Sequence, residues 1–268
     1  LEQKSEELAR ASEELRAANE RLRELDRLKD EFVAMVSHEL RTPLTSIRAF
    51  AEILRDSGDL PEEKRVHFLN VVVKESQRLS RLIEEILDLA RLESGRLTLD
   101  PQKLDLVELT RHSVDAVHHM QEDRGVALEV QIEVAAAAAV VGDPDRLEQV
   151  IINLLDNAGK FADPDDPKVM LRLARHKNHY RLSVEDNGQG IADDERERVF
   201  EKFHQIQRPG ESPEQVRGRP RGSGLGLPIS RGIVAHLGGR LWVEDAPHLG
   251  GACLTMELPE APPEAPGA

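Results

Sequence analysis

Cysteine occurs once, at Cys253, so the chain can form no internal disulfide and no cysteine-built metal cluster, and it suits a reducing compartment. Long apolar runs are missing as well. The longest, Val134 to Val141, is mostly alanine and falls far short of the roughly 20 residues of a membrane helix. Positive charge is in the minority, with 36 Lys and Arg against 50 Asp and Glu and a net charge of -14, which argues against a nucleic-acid partner because backbone phosphates are repelled on average. The sequence begins at Leu1 rather than at methionine and shows no signal-peptide pattern, so the expectation is a cytoplasmic fragment whose input module lies upstream. What is present, 268 residues with 39% hydrophobic content, is enough for one large or two modest domains.

Leu1, Leu8, Leu15 and Leu22 recur every seven residues, with Ala11, Ala18 and Leu25 three places later. That is the seam of a two-stranded coiled coil. Carried further, it would use Lys29, Phe32, Val36 and Glu39, so the register changes there. The helix is expected to continue to about Arg55, where Ser57, Gly58 and Pro61 mark a hairpin turn. A second helix follows, in which Val72, Leu79, Leu82, Ile86 and Leu89 form another bundle seam, ended by Gly95. Two helices per chain and a dimerising coil imply a four-helix bundle built by a homodimer. After Gly95 the texture changes. Alternating segments at Arg96 to Leu99, Val126 to Val134, Val169 to Ala174, Arg181 to Glu185, Leu241 to Glu244 and Cys253 to Leu258, separated by helical patterns, predict an α/β domain with a hairpin around His176 to His179. The resulting division is a coiled coil over 1–29, a helical hairpin over 30–95, an α/β domain over 96–260 and a disordered tail over 261–268.

Four segments carry chemistry. Ser37 to Leu44 reads SHELRTPL on the first bundle helix. His38 and Thr42 share a helix face there, and Pro43 removes the donor to the Glu39 carbonyl at a cost of about 3 kcal/mol. A neutral imidazole is a good nucleophile near neutrality, and Glu39 is placed to hold the proton of its other nitrogen. Asp143 to Phe161 reads DPDRLEQVIINLLDNAGKF, with Asp143 as a cap and Asn153, Asn157 and Lys160 on one helix face. Amide oxygens suit magnesium beside a triphosphate that already carries most of the charge, Lys160 neutralises phosphates, and Phe161 packs near a nucleotide. Asp186 to Ile191 reads DNGQGI after a predicted strand: Gly188 and Gly190 permit close backbone approach, and Asp186 can accept from an adenine amino group. Gly222 to Leu227 reads GSGLGL and opens a helix, so its amides could meet phosphates. A dinucleotide fingerprint fails at Leu227 and a Walker pattern at Phe161. From Lys202 to Gly222 five basic residues face two acidic ones, a local charge of +3.

SHELRTPL resembles the phosphoacceptor box of sensor histidine kinases, the Asp143 segment their N box, and DNGQGI, VFEKF at Val199 to Phe203 and GSGLGL their G1, F and G2 boxes in order. The resemblance spans about Asp30 to Pro259. It implies an α+β multidomain chain whose second part is a Bergerat-type, two-layer ATP-binding sandwich, with ATP and Mg2+ as cofactors and Lys202 to Gly222 as a mobile lid. It further implies that His38 is phosphorylated, Glu39 is its base, Thr42 serves phosphatase action, and the phosphoryl group passes to a response-regulator receiver domain. Asn157 is then the magnesium ligand. Asn153, Lys160, Phe161, Asp186, Gly188, Gly190, Ile191, Lys202, Gly222, Ser223, Gly224, Leu225, Gly226 and Leu227 make up the ATP site. Departures are the RGRPRG stretch of the lid, five alanines before Val140, and Gly250 and Gly251 leading to Cys253, where the family often has a phenylalanine strand.

A clamp ATPase of the gyrase or chaperone type would account for Asn157, Asp186 and the glycines but not for His38 and Pro43. A non-catalytic scaffold would not need the nucleotide boxes. His118, His119, His176 and His179 show no convergence on a metal, and Trp242 and Phe50 read as core residues.

Overall fold

The computed structural model describes residues 2–134, 138–206 and 222–262. The chain separates into two compact units, one ending at Ile83 and the other beginning at Glu84. The division falls inside the second helix, earlier than the change of texture at Gly95.

The first unit is a helical hairpin. Helix α1 runs from Glu2 to Asp56 with Pro43 inside it, and α2 from Glu62 to Glu93. Glu62 and Glu63 lie in the first turn of α2, where carboxylates complement the helix dipole. The helices run antiparallel: Phe50 meets Phe68 with ring centroids 5.1 Å apart, and Arg78 reaches Glu39 at 3.7 Å. Phe50 is only half-buried, so it is a hairpin contact and not a core residue. Of the heptad seam, Leu1 and the side chains of Leu8, Ala11, Ala18, Leu22 and Leu25 lie outside the described residues, while Leu15 is 70% exposed.

The second unit is a two-layer sandwich. A five-stranded sheet has the order β2 (Ala127–Ile132), β4 (Lys168–His176), β5 (His179–Asp186), β7 (Ala252–Pro259), β6 (Arg240–Asp245), with β2 parallel to β4 and the other pairs antiparallel. Helices α3 (Leu106–Asp123), α4 (Pro144–Phe161) and α5 (Gly226–His236) pack against this sheet. Between them Leu147, Ile151, Leu154, Leu155, Leu171, Leu173, Leu182, Ile233, Met256 and Leu258 are fully buried. The strand period of two then turns Arg172, Arg181, Glu185, Trp242 and Thr255 to the opposite face. Trp242 is therefore not core: it is half-buried, with the Arg181 and Arg240 guanidinium carbons 5.5 and 5.7 Å from its ring centroid.

Most strands lie where alternation predicts them, and the turn between β4 and β5 is Lys177 and Asn178, with Lys177 at φ 56°. Arg96 to Leu99 is not a strand. The first strand, β1, is Gln102–Asp105, and it pairs antiparallel with β3, Ala139–Gly142, drawn from the apolar alanine–valine run. Neither strand is legible alone, because each is only four residues long. Nor is the tail free directly after Pro259, since the Glu260 amide donates to the Asn178 carbonyl and the Ala261 amide to the Ala139 carbonyl. Residues 263–268, and 207–221 within the stretch expected to form a lid, lie outside the described residues.

Asp143 does two jobs. One carboxylate oxygen accepts from the Arg146 amide at 3.2 Å, capping α4, and the other from the Asp100 amide at 3.0 Å, tying the segment before β1 to the same helix start. Asp143→Ala is expected to cost about 1–2 kcal/mol, and Asp143→Asn, whose one oxygen keeps the cap but whose NH2 faces the Asp100 amide, is expected to recover only part of that, as thermal melts of the two variants will check.

Candidate functional site

Two groups of polar residues stand out, one in each unit. On α1, His38 is exposed (69%) and its Nδ1 faces a Glu39 carboxylate oxygen at 3.5 Å, while Glu39 is largely covered (17%). The second Glu39 oxygen lies 3.7 Å from Arg78, which also faces Glu75 at 3.8 Å. Arg78 thus keeps a carboxylate beside the imidazole, a contribution invisible in sequence because it comes from the other helix of the hairpin. The Thr42 hydroxyl is exposed and donates back to the His38 carbonyl at 3.3 Å, a bond typical of threonine inside a helix. Pro43 is buried and α1 continues past it.

In the second unit α4 lays its apolar face on the sheet, which leaves Asn153, Asn157 and Lys160 along its half-buried flank. Asn153 donates to the buried Ser230 hydroxyl at 2.9 Å, and Asn157 donates to the Asn153 oxygen at a longer 3.5 Å. Asn153 therefore links α4 to α5, and its amide orients that of Asn157, whose oxygen is left for a hard cation such as magnesium. Gly226 packs against the Asn153 amide, where a side chain would collide. Lys160 pairs with Asp156 one turn back, and Asp156 also accepts from Arg124 at 2.8 Å. Burial works against ionisation of Asp156, but Lys160 and Arg124 more than offset it and hold the carboxyl below its usual range. The Phe161 side chain is half exposed (50%).

Asp186 ends β5 and is buried. One of its oxygens accepts from the Gly188 amide at 2.8 Å and from the Ala252 amide at 3.2 Å, while its backbone carbonyl accepts from the Gly251 amide at 3.1 Å. Burial raises its pKa, and the two amide bonds pull in the other direction without reversing the shift. The turn is tight: a Cβ on Gly188 would overlap the Phe161 carbonyl, and one on Gly251 would lie 2.6 Å from the Gly188 nitrogen. Asn187 accepts from the Lys168 amide at 2.9 Å and donates to the Asp166 carbonyl at 2.7 Å, pinning the loop after α4. Gly190 has φ 72°, and Ile191 follows it half-buried.

The third part is the start of α5. Val199, Phe200 and Phe203 are buried, and the Phe203 amide donates to the Gly224 carbonyl at 2.9 Å. Gly224, at φ 71°, packs so closely on Phe203 that a Cβ would lie 2.7 Å from its backbone. Gly222 accepts from the Gln205 side chain at 2.8 Å, the Leu225 amide bonds the Ser223 hydroxyl at 3.1 Å, Leu225 is fully buried and Leu227 half-buried. Two residues expected to meet phosphate already meet carboxylates: Ser223 donates to Glu85 at 2.5 Å and Lys202 pairs with Glu93, both acids lying on the last turns of α2. The same turns bury Asp88, which accepts from Arg146 at 2.7 Å and Gln149 at 3.0 Å.

Sequence reasoning also missed Glu185, buried beside Asp186 and held by the His248 amide at 3.1 Å and its Nδ1 at 2.9 Å. Only the register of β5 brings that pair together. His118 and His119, read as non-convergent, do come together with Glu122, their ligand atoms within 4.8 Å, but all three are exposed. Cys253 is buried, and burial pushes its pKa up to about 12, so it stays a thiol.

The family described as histidine kinase-, DNA gyrase B-, and HSP90-like ATPase matches residues 142–262, and the His Kinase A (phospho-acceptor) domain family matches residues 28–95. The sensor protein ChvG of Agrobacterium fabrum is 34% identical over 241 residues, which is 87% of this chain and 39% of ChvG. The chain thus spans well under half the length of that relative. A full-length structure of ShkA in complex with AMPPNP is 28% identical, with a TM-score of 0.61 over 88% of this chain and 47% of ShkA. The histidine kinase ThkA, in its complex with the response regulator protein TrrA, shares the fold at 24% identity, with a TM-score of 0.66 over 88% of this chain and 63% of ThkA.

The Asp186 turn makes an ordering testable. Gly190→Ala meets no atom closer than 3.5 Å and costs about 1–2 kcal/mol through its left-handed backbone alone. Gly188→Ala must push backbone against backbone and is expected to cost more, about 2–3 kcal/mol. Denaturant unfolding of both variants checks the order, and equal losses would contradict the packing described for this turn.

Proposed function

The chain belongs to the sensor histidine kinases, and on that premise we propose that it uses ATP to phosphorylate its own His38 and then passes the phosphoryl group to an aspartate of a response regulator, as a cytoplasmic homodimer. The observation that carries this reading is an exposed imidazole with Nδ1 against a covered, Arg78-supported carboxylate, in one chain with a buried acceptor, Asp186, framed by glycines. Nδ1 faces Glu39, so Nε2 is the nitrogen left for an electrophile. In the proposed step Nε2 attacks the γ-phosphorus while the bond to the β,γ-bridging oxygen breaks and ADP departs with the electron pair. Glu39 stabilises the cationic ring that results.

Asp186 accepts from the adenine amino group, Lys160 and the amides of Gly224 to Leu227 face phosphate oxygens, and Lys202 and Ser223 exchange their carboxylate partners for phosphate. The first turn of α5 has no side-chain cap, which favours that use of its amides. Phe161 and Ile191 flank the base. Asn157 is the residue that would hold magnesium, whose chemistry there is to neutralise the polyphosphate. Thr42, on the His38 face, serves a separate hydrolysis, in which a water it orients attacks the response regulator's aspartyl phosphate and releases inorganic phosphate. The ThkA complex with TrrA supports the choice of partner. The homodimer is supported by Leu44, Ile53, Val66, Leu69 and Val73, apolar residues of the hairpin unit left exposed in a single chain.

Incubation with γ-labelled ATP tests the proposal. The parent is expected to take up label that is lost in acid, and His38→Gln to take up none while still binding nucleotide; label that survives in the variant would overturn the assignment. Calorimetry tests the pocket. Asn157→Ala and Asp186→Ala are each expected to weaken Mg-ATP binding by about 1.5–3 kcal/mol, the range for a charge-assisted bond, and unchanged affinity in both would remove the nucleotide from this site.

A further inference from the structure

Lys160 is asked to face phosphate, yet it is paired with Asp156, and Asp156 is largely covered, with side-chain exposures of 18% for the lysine and 15% for the acid. Withdrawing a cation from a covered carboxylate leaves that charge uncompensated, which is costly in a site shielded from water. A second cation stands ready. Arg124, the residue that caps α3, reaches across to α4 and donates from Nη1 to Asp156 Oδ1 at 2.8 Å, while Lys160 takes the other oxygen, Oδ2. The geometry of Arg124 is itself fixed, because its amide bonds the Gln121 carbonyl at 3.1 Å, and Gln121 is buried with its side-chain amide on the Leu155 carbonyl at 2.8 Å.

We propose that Arg124 is a positioning residue for nucleotide binding: it keeps Asp156 paired when Lys160 turns from that carboxylate to the phosphates. The inference rests on the reading of Lys160 as a phosphate ligand. Arg124 touches no substrate in this scheme. It acts through Asp156 by making the release of Lys160 affordable, so its effect depends on phosphate in the ligand and on Lys160 in the protein. A merely structural link between α3 and α4 would depend on neither.

The test is a double-mutant cycle on the full chain, read by calorimetry with Mg-ATP and with adenosine, which lacks phosphate. Arg124→Gln is expected to weaken Mg-ATP severalfold and leave adenosine unchanged. In a Lys160→Met background the same change is expected to add nothing, because no lysine remains to be released. Asp156→Asn combined with Arg124→Gln is expected to recover Mg-ATP affinity, since no charge then needs a partner. Three results would overturn the proposal: Arg124→Gln without effect on Mg-ATP while Lys160→Met weakens it, equal losses for Mg-ATP and adenosine, or equal losses with and without Lys160. If Lys160→Met itself leaves Mg-ATP affinity intact, the phosphate role of Lys160 fails and the proposal falls with it, and that single variant identifies the cause.

Discussion

Burial of one face of α4 against β4 and β5 is the constraint on which the second unit depends. Leu147, Ile151, Leu154 and Leu155 are fully covered, and removing any one of such side chains typically costs about 2–5 kcal/mol. That energy fixes the rotation of the helix. Once the rotation is fixed, Asn153, Asn157 and Lys160 have no choice of direction, since spacings of four and three residues keep them on one flank. Asp143 sets the start of the helix and so its register along the sheet, and the same carboxylate holds the chain entering β1. The polar flank is precise because the apolar face is expensive to move.

The Asp186 turn shows a second way of reaching precision, through the absence of side chains. Gly188 lies against the Phe161 carbonyl and Gly251 against Asp186, so three segments distant in sequence meet at backbone distance. Any Cβ there would hold them apart. The meeting places a buried carboxylate where backbone amides supply two bonds to one oxygen, and the other is the one the proposed recognition of the base would use. Burial raises the pKa of this group, so it takes up a proton more readily in the fold than in the unfolded chain. Its contribution to stability therefore increases as pH falls through the folded value, while its use as an ionised acceptor is lost over the same range. The proposed function and stability pull in opposite directions at Asp186, as they often do where a charged group is held in a covered site.

What could be read from the sequence divides along the same physical line. The two bundle helices, α4 with its cap, the β4–β5 hairpin and the α5 start were legible because each depends on local rules: periodicity, a capping side chain, glycine at a left-handed turn. The order of the boxes is likewise a property of the sequence alone, and it carries the resemblance to the family. The pairing of β1 with β3 was not legible, since a four-residue strand acquires meaning only from its partner. Nor were Arg78, Arg124 and His248, each of which reaches its carboxylate from another element. Trp242 was misread for a related reason: an aromatic in a strand can face either side, and only the pairing register turned it between two arginines and away from the core.

The two polar groups differ in a way that suits two successive transfers. Asp186, the acceptor in the proposed recognition of the base, is buried, which suits discrimination among nucleotides because a covered carboxylate is costly to leave without its matching donor. His38 is exposed on a long helix, and only its carboxylate neighbour is covered. An exposed nucleophile gains little from its surroundings beyond orientation, and Glu39 with Arg78 supplies that without enclosing the ring. Exposure suits the proposed shared intermediate, since the same imidazole would first meet a phosphoryl donor and then an acceptor on a different protein, and no single enclosing pocket could fit both. On this view the enclosure that drives the chemistry has to arrive with each partner in turn, which explains why the histidine helix carries little beyond a nucleophile, its carboxylate and one hydroxyl.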